Sequence, residues 1–261
     1  MKCKVIIKLL EELAPPSYAC EWDNPGLVCG RRENDVTKIL VALDATNKAV
    51  KKAVEEGADF IVTHHPMIFS GIKKVNDDTF LGDKILTLAE NHIGCFAMHT
   101  NYDIAGGMAE ICGEKMELVD AEPFELTGEL EERPVGIGQV GHLPEKMTLA
   151  DCAKKVKEAF GLSEVLGVGN LEREVSYAAV SPGAGRSMLK EAKKKMVDVL
   201  ITGDIGHHEG LDSMDMGFAV IEAGHYGLEQ VFIGHLCEYL TEKTEGIEVI
   251  PYYEGMPYQV V

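Results

Sequence analysis

Short apolar runs alternate with amphipathic segments in two parts of the chain. In each part, a β-rich run is followed by a helical pattern and then by a second β-rich run, which is the order of a βαβ unit. The first unit predicts a strand over 38–44, a helix over 46–56 and a strand over 59–63, and the second predicts a strand over 175–181, a helix over 186–196 and a strand over 198–202. Thr46 fits the N-cap of the first helix, and Gly57 fits its C-terminal stop.

The two units also match at a constant offset. Asp59 and Asp198 are 139 positions apart, as are Thr63 and Thr202, and each second strand leads into a polar turn that contains histidine. This match predicts an internally duplicated α/β fold with two related lobes, each layered α/β/α.

An acidic stretch lies between the two units. The densest acidic stretch of the chain covers positions 117–132, and such a run is usually a solvated linker rather than a functional element. We therefore expect the lobe boundary there, with 1–125 plus 226–261 in the first lobe and 126–225 in the second.

Composition places the chain among ordinary globular proteins. Hydrophobic residues make up 46% and charged residues 26% of the 261 positions, and no low-complexity run indicates disorder. The segment 1–13 predicts an amphipathic helix rather than a signal peptide, and no apolar run reaches the roughly 20 residues that a membrane-spanning helix needs. We expect a soluble cytoplasmic protein whose seven cysteines are reduced and mostly buried.

The formal net charge of −18 argues against partners with extended phosphate surfaces. Nucleic acids and anionic membranes both attract clustered Lys and Arg. We therefore expect neither a membrane nor a nucleic acid as a partner. Only a local basic pocket would still attract an anion.

Two adjacent histidines, His64 and His65, follow the second strand of the first unit. Imidazole nitrogen is a favoured ligand for zinc, iron and manganese near neutral pH. Neighbouring strand residues point to opposite faces, so the pair serves one ion only if the chain turns there, and Pro66 favours such a turn. Two ions, one per histidine, are an equal alternative, and a capping or hydrogen-bonding role without metal is a third.

Two further elements combine imidazole and carboxylate at strand ends, where ligands bind in open α/β sheets. His225 and Glu229 are four residues apart, which places both side chains on one face of a helix if the helix begins near Gly224. His99 and Asp103 repeat this spacing. Here Asp103 alone is the ligand if His99 stays in the strand as a buried donor behind it. A surface pair or a helix cap is the interpretation of each element without metal.

His207 and His208 follow the second strand of the second unit. We consider them candidate catalytic residues, because imidazole transfers protons near neutral pH and its protonated form suits a phosphate. Hydrogen bonding within the loop is the alternative role.

Five motifs occur along the chain in a fixed order. They are Trp22-Asp23-Asn24-Pro25-Gly26-Leu27, Thr63-His64-His65-Pro66-Met67-Ile68-Phe69, His99-Thr100-Asn101-Tyr102-Asp103, Gly203-Asp204-Ile205-Gly206-His207-His208 and Gly224-His225-Tyr226-Gly227-Leu228-Glu229. In these motifs the chain resembles the NIF-three-like family, whose members are commonly labelled GTP cyclohydrolase 1 type 2 homologs. The chain departs from the common family pattern at Tyr102, where Leu is usual, and at Leu228, where Thr is usual.

The resemblance implies two α/β lobes with a dinuclear metal site in the cleft between them, and assembly into a ring-shaped homohexamer. It places the metal ligands on the residues that side-chain chemistry also favours, namely His64, His65, Asp103, His225 and Glu229. Two divalent ions, with zinc, iron or manganese as the candidates, are the expected cofactors. Five ligands for two ions leave positions for water or substrate, and we expect Glu229 to bridge the ions.

Hydrolysis is therefore the expected reaction class. The family label implies a GTP cyclohydrolase-like hydrolase that acts on a small nucleotide-like molecule, although the chain has no Walker-type phosphate loop. A phosphoesterase would use the same metals. A nonenzymatic metal-binding or regulatory scaffold is the alternative from a different class.

Overall fold

The computed structural model describes residues 1–259, which form two compact units. Unit 1 comprises Met1–Gly106 and Phe232–Glu254, and unit 2 comprises Gly107–Val231 and the residues from Gly255 onward. These boundaries differ from the sequence-based division into 1–125 plus 226–261 and 126–225.

Helices and strands alternate through most of the chain, as expected of an α/β protein. The helices are α1 (Cys3–Leu13), α2 (Asn47–Glu56), α3 (Phe80–Glu90), α4 (Thr100–Ala105), α5 (Met108–Lys115), α6 (Leu149–Phe160), α7 (Leu189–Lys195), α8 (His207–Met216), α9 (His225–Glu229) and α10 (Val231–Lys243). The strands are β1 (Gly26–Cys29), β2 (Lys38–Ala42), β3 (Phe60–Thr63), β4 (Gly94–Ala97), β5 (Val119–Leu130), β6 (Arg133–Thr148), β7 (Leu166–Val168), β8 (Glu174–Ala184), β9 (Val199–Gly203), β10 (Ala219–Glu222) and β11 (Glu248–Tyr252). In the described part of the chain, no helix has the length and hydropathy that crossing a membrane requires.

Unit 1 is built on a five-stranded sheet in the order β1-β4-β3-β2-β11. The strands β11, β2, β3 and β4 run parallel, and β1 is antiparallel to β4. Every residue of β3 and β4 is buried, as expected of parallel strands that are covered on both faces. Leu40, Val50 and Ile61 belong to the apolar core of this unit.

The local signals predicted for the first βαβ unit are confirmed. The side chain of Thr46 caps α2 by accepting the N–H of Ala49 at 3.0 Å. Gly57 ends the helix with a φ of 65°, in the left-handed region that glycine adopts most readily. The amphipathic helix predicted at the N-terminus is α1, which buries Ile6 and Leu10.

Unit 2 is built on a six-stranded sheet in the order β5-β6-β8-β9-β10-β7. The strands β8, β9 and β10 run parallel, and β7, β6 and β5 extend the two edges in antiparallel pairs. The acidic stretch predicted to be a linker is therefore largely strand β5, paired with β6 from Val119 to Leu130. Most of its side chains are exposed, and a charged edge strand resembles a linker in composition. Because α5 and β5 both contact β6, residues 107–125 belong to unit 2.

The two sheets repeat one strand arrangement. The order β1-β4-β3-β2 of unit 1 returns as β7-β10-β9-β8 in unit 2. The Asp59 carboxylate accepts the N–H of Thr37 at 2.7 Å, and the Asp198 carboxylate accepts the N–H of Ser176 at 2.9 Å. Both aspartates and both donors are 139 positions from their counterparts, so the repeat detected in the sequence extends to individual hydrogen bonds.

Candidate functional site

His64 and His65 lie in a turn directly after β3. The backbone N–H groups of both residues donate to the carbonyl oxygen of Leu43, at 3.1 and 3.0 Å. Successive N–H groups point in opposite directions along a regular strand, so two that share one acceptor mark a turn. The two ring centroids are 4.8 Å apart. The turn that a shared metal site requires is therefore present.

A hydrogen bond at Nδ1 orients each of these rings. His64 Nδ1 lies 2.8 Å from the carbonyl oxygen of Met98, and His65 Nδ1 lies 2.9 Å from Asp44 Oδ1. A carbonyl oxygen only accepts, so Nδ1 of His64 carries the proton and Nε2 carries the lone pair when the ring is neutral. Histidines that bind metals commonly donate a hydrogen bond from the N–H of their other ring nitrogen in this way.

Asp103 lies on α4, and its Oδ1 is 3.4 Å from Nε2 of His64. The turn with His64 follows β3, whereas α4 comes after β4, and these two strands are parallel neighbours. Because the carboxyl ends of parallel neighbours lie at one edge of the sheet, residues distant in sequence meet there. The structure thus brings His64 close to both His65 and Asp103.

His99 adds a third imidazole to this group. The ligand atoms of His64, His65 and His99 all lie within 4.8 Å of one another. His99 lies beyond the end of β4 rather than inside the strand, as the N-cap residue of α4. The geometry therefore makes His99 a candidate ligand, besides the donor role considered from the sequence.

Asp23 has a buried side chain that anchors this end of α4. Its Oδ1 lies 2.7 Å from His99 Nδ1, and its Oδ2 accepts the N–H of Thr100 at 3.0 Å. Burial raises the pKa of Asp23, but the hydrogen bonds from His99 and Thr100 outweigh burial and hold the pKa well below the ordinary value of 3.8. Asp23 is therefore an ionised anchor at neutral pH, and Trp22 beside it packs against the His99 ring at a centroid distance of 6.0 Å.

Unit 2 contains a second imidazole and carboxylate pair. The helix α9 begins at His225, and His225 Nε2 lies 3.1 Å from Glu229 Oε2. The four-residue spacing therefore places both groups on one helix face, as predicted. His225 Nδ1 lies 2.7 Å from Asp204 Oδ2, so an acceptor at Nδ1 orients this ring like those of His64 and His65. Asp204 has a φ of 55°, a conformation that is uncommon outside glycine.

Gly183 leaves room for the Glu229 carboxylate. A Cβ atom at position 183 would lie 2.8 Å from Glu229 Oε1 and 3.9 Å from His225 Nε2. Gly183 also has a φ of 76°, which L-amino acids with side chains rarely adopt. Both the close approach and the backbone conformation require glycine here.

His207 and His208, the candidate catalytic residues, are the first two residues of α8. Both are exposed, and their ring centroids are 5.3 Å apart. Exposure at a helix start suits either proton transfer or an ordinary surface role, so their catalytic function stays a prediction.

Two orienting carboxylates, Asp44 and Asp204, were not predicted from the sequence. Each lies 21 positions before the histidine that it holds, His65 or His225. This shared spacing was a signal in the sequence. The carbonyl oxygen of Met98 had no such signal, because a backbone acceptor is not encoded by residue type.

Comparison with known proteins gives consistent results. Residues 1–254 match the family model described as Duf34/NIF3 (NGG1p interacting factor 3). A Clostridium perfringens protein named "GTP cyclohydrolase 1 type 2 homolog" is 34% identical over 251 residues, which cover 94% of this chain and 93% of the relative. A Clostridium acetobutylicum protein of the same name is 35% identical, with coverage of 88% and 85%.

A solved structure supports the fold. The chain matches the structure described as a Bacillus cereus protein related to NIF3 with a TM-score of 0.94 and 24% identity, covering 100% of this chain and 99% of the other. Taken with the family model that matches residues 1–254, the sequence relatives and this fold show that the chain belongs to the Duf34/NIF3 family.

Proposed function

We propose that this chain binds two divalent metal ions and is a metal-dependent hydrolase of a nucleotide-like substrate. One shared feature carries the proposal. His64, His65 and His225 each have Nδ1 within hydrogen-bonding distance of an oxygen acceptor. Such a hydrogen bond orients the ring and leaves the lone pair of Nε2 for a metal ion.

The donor set fits the proposed ions. Neutral imidazoles and carboxylates suit zinc, iron and manganese. Unit 1 offers His64, His65 and Asp103, with His99 as a further candidate. Unit 2 offers His225 and Glu229, with 3.1 Å between their nearest ligand atoms. Neither set alone fills two coordination shells. We propose that both sets would hold one dinuclear centre, in which Glu229 would bind both ions.

The chain's own residues have defined roles in this proposal. When bound, a divalent ion supplies Lewis acidity, which makes water a nucleophile at neutral pH. Asp44 and Asp204 hold their histidines in the orientation that binds metal. His207 and His208 are the proposed proton-transfer groups. The nucleotide-like substrate rests on relatives that carry the name "GTP cyclohydrolase 1 type 2 homolog".

Elemental analysis of gently purified protein tests the metal site. We expect about two transition-metal ions per chain in the wild type and their loss in a His65→Ala, Glu229→Ala double variant that keeps its circular dichroism spectrum. A His142→Ala, Glu172→Ala double variant removes the same residue types elsewhere and should retain the ions. Wild-type protein that takes up no zinc, manganese or iron would refute the proposal.

Turnover assays with nucleotides and phosphoesters test the hydrolase. We expect Asp103→Ala to abolish turnover in a folded protein. His207→Ala and His208→Ala should lower kcat without changing metal content if these residues transfer protons. Phosphoester cleavage without opening of the nucleotide ring would show that the protein is a phosphoesterase instead. Metal uptake and exchange without any product would favour the metal-binding scaffold instead.

We also propose the ring-shaped homohexamer that the family resemblance implies. Sedimentation equilibrium should then give six times the chain mass of 28.5 kDa. A monomeric mass at all concentrations would contradict this assembly.

A further inference from the structure

A cavity of about 880 Å³ opens beside His225 within unit 2. This volume is in the range of small-molecule sites. Glu164, Asp204 and Glu222 contribute carboxylates to its lining, and no lysine or arginine is among its described lining residues. The charged groups of the cavity therefore favour a cation and oppose an anion.

Much of the remaining lining is apolar or aromatic. Leu166, Met256 and Tyr258 line the cavity although they are 66%, 36% and 81% exposed. Tyr226 adds a second aromatic ring. Large apolar side chains that are exposed in a concave site are a common feature of ligand-binding pockets.

Glu222 is one of the carboxylates that line this cavity. The backbone N–H groups of Asp204 and Gly224 both donate to Oε1, at 2.9 and 3.2 Å. These bonds fix the side chain and leave Oε2 without a hydrogen bond in the part of the chain that the structure describes. Burial raises the pKa of Glu222 above 4.5, against the lowering effect of the two N–H groups. The ionised form is thus poorly compensated, and a neighbouring cation would stabilise it.

We propose that this cavity binds a small molecule, or the part of one, that carries an amidinium or ammonium group on an aromatic or apolar body. Glu222 Oε2 accepts the N–H of the cation, and the faces of Tyr226 and Tyr258 contact the body. The carboxylates repel phosphate, so any phosphate of the ligand lies outside this cavity. That the ligand is the substrate rests on the proposed function, because His225 lines the same cavity.

Calorimetric titration of the metal-free full chain tests this inference with three probes. Benzamidine, benzamide and benzoate share a phenyl ring and differ in charge. We expect benzamidine to bind about tenfold more tightly than benzamide, and benzoate not to bind. Equal binding of benzamidine and benzoate, or no saturable benzamidine binding, would overturn the inference. A second copy of the chain covering the cavity would give the latter result.

The Glu222→Gln variant locates the binding. Glutamine keeps an oxygen acceptor for the N–H groups of Asp204 and Gly224 but removes the charge, so benzamidine should bind about tenfold more weakly. Glu172→Gln removes one charge from unit 2 outside the cavity and should bind benzamidine like the wild type. Unchanged affinity in Glu222→Gln would also overturn the inference.

The two proposals fail separately. Benzamidine binding by a chain that takes up no metal refutes the proposed function alone. Metal uptake without benzamidine binding refutes the cavity inference alone.

Discussion

The Gly183→Ala substitution adds one methyl group directly against the carboxylate of Glu229. The new Cβ would lie 2.8 Å from Oε1, whereas ordinary contacts begin at 3.4 Å, so the carboxylate must move by several tenths of an ångström. The φ of 76° costs alanine about 1 kcal/mol, and overpacking adds about 1 kcal/mol. We therefore expect the free energy of unfolding of metal-free protein to fall by about 2 kcal/mol in urea denaturation.

The same substitution should weaken metal binding if Glu229 is a ligand. Changes to the groups that surround and support metal ligands typically lower metal affinity by about 10- to 100-fold. Competition with a chromophoric chelator measures this loss. Gly161→Ala is the matched control, because Gly161 lies in unit 2 with a φ of 65° and no neighbouring atom within 4 Å of an added Cβ. It should lose about 1 kcal/mol of stability and keep its metal affinity. Equal metal affinity in both variants would refute the reasoning.

Three further outcomes are expected. Asp44→Ala should weaken metal affinity by about 10-fold or more, because His65 loses its acceptor at Nδ1; the same chelator assay detects this, and unchanged affinity would contradict the orienting role. The depressed pKa of Asp23 stabilises the folded state above the unfolded value of 3.8, and that stabilisation is lost as the pH falls through the folded value. Asp23→Asn should therefore lower the free energy of unfolding at neutral pH and flatten its decline below about pH 4, as urea titrations would show; parallel curves would argue against it. Burial raises the pKa values of the Cys95 and Cys152 thiols to about 12, so both should react with a thiol reagent near pH 8 only after denaturation. Mass spectrometry of the labelled protein identifies them, and rapid labelling of the native chain would exclude this burial.

The βαβ units were predictable because their apolar runs, caps and stops are local signals. Thr46 and Gly57 mark the two ends of α2 in the sequence as they do in the structure. The helix face shared by His225 and Glu229 follows from the spacing alone, once Gly224 marks the helix start.

Other features depend on contacts that composition does not reveal. The strand β5 has mostly exposed side chains, so its acidic composition looks like a solvated linker although its backbone pairs with β6. The grouping of His99 with His64 arises from the alignment of β3 and β4, and Asp23 reaches His99 across 76 positions. Neither contact has a local pattern that could have predicted it.

In the pairs Asp44–His65 and Asp204–His225, the aspartate follows the first strand of a strand–helix–strand crossover and the histidine follows the second strand. The crossover is β2-α2-β3 for the first pair and β9-α8-β10 for the second. Local opening of a crossover would separate the aspartate from its histidine and release the imidazole from its fixed orientation. Regions of a protein open with different free energies, so the residence time of a bound ion would depend on how often these strand ends open. Hydrogen exchange at β3 and β10 would then slow on metal binding, and ion dissociation would follow the opening rate of the backbone.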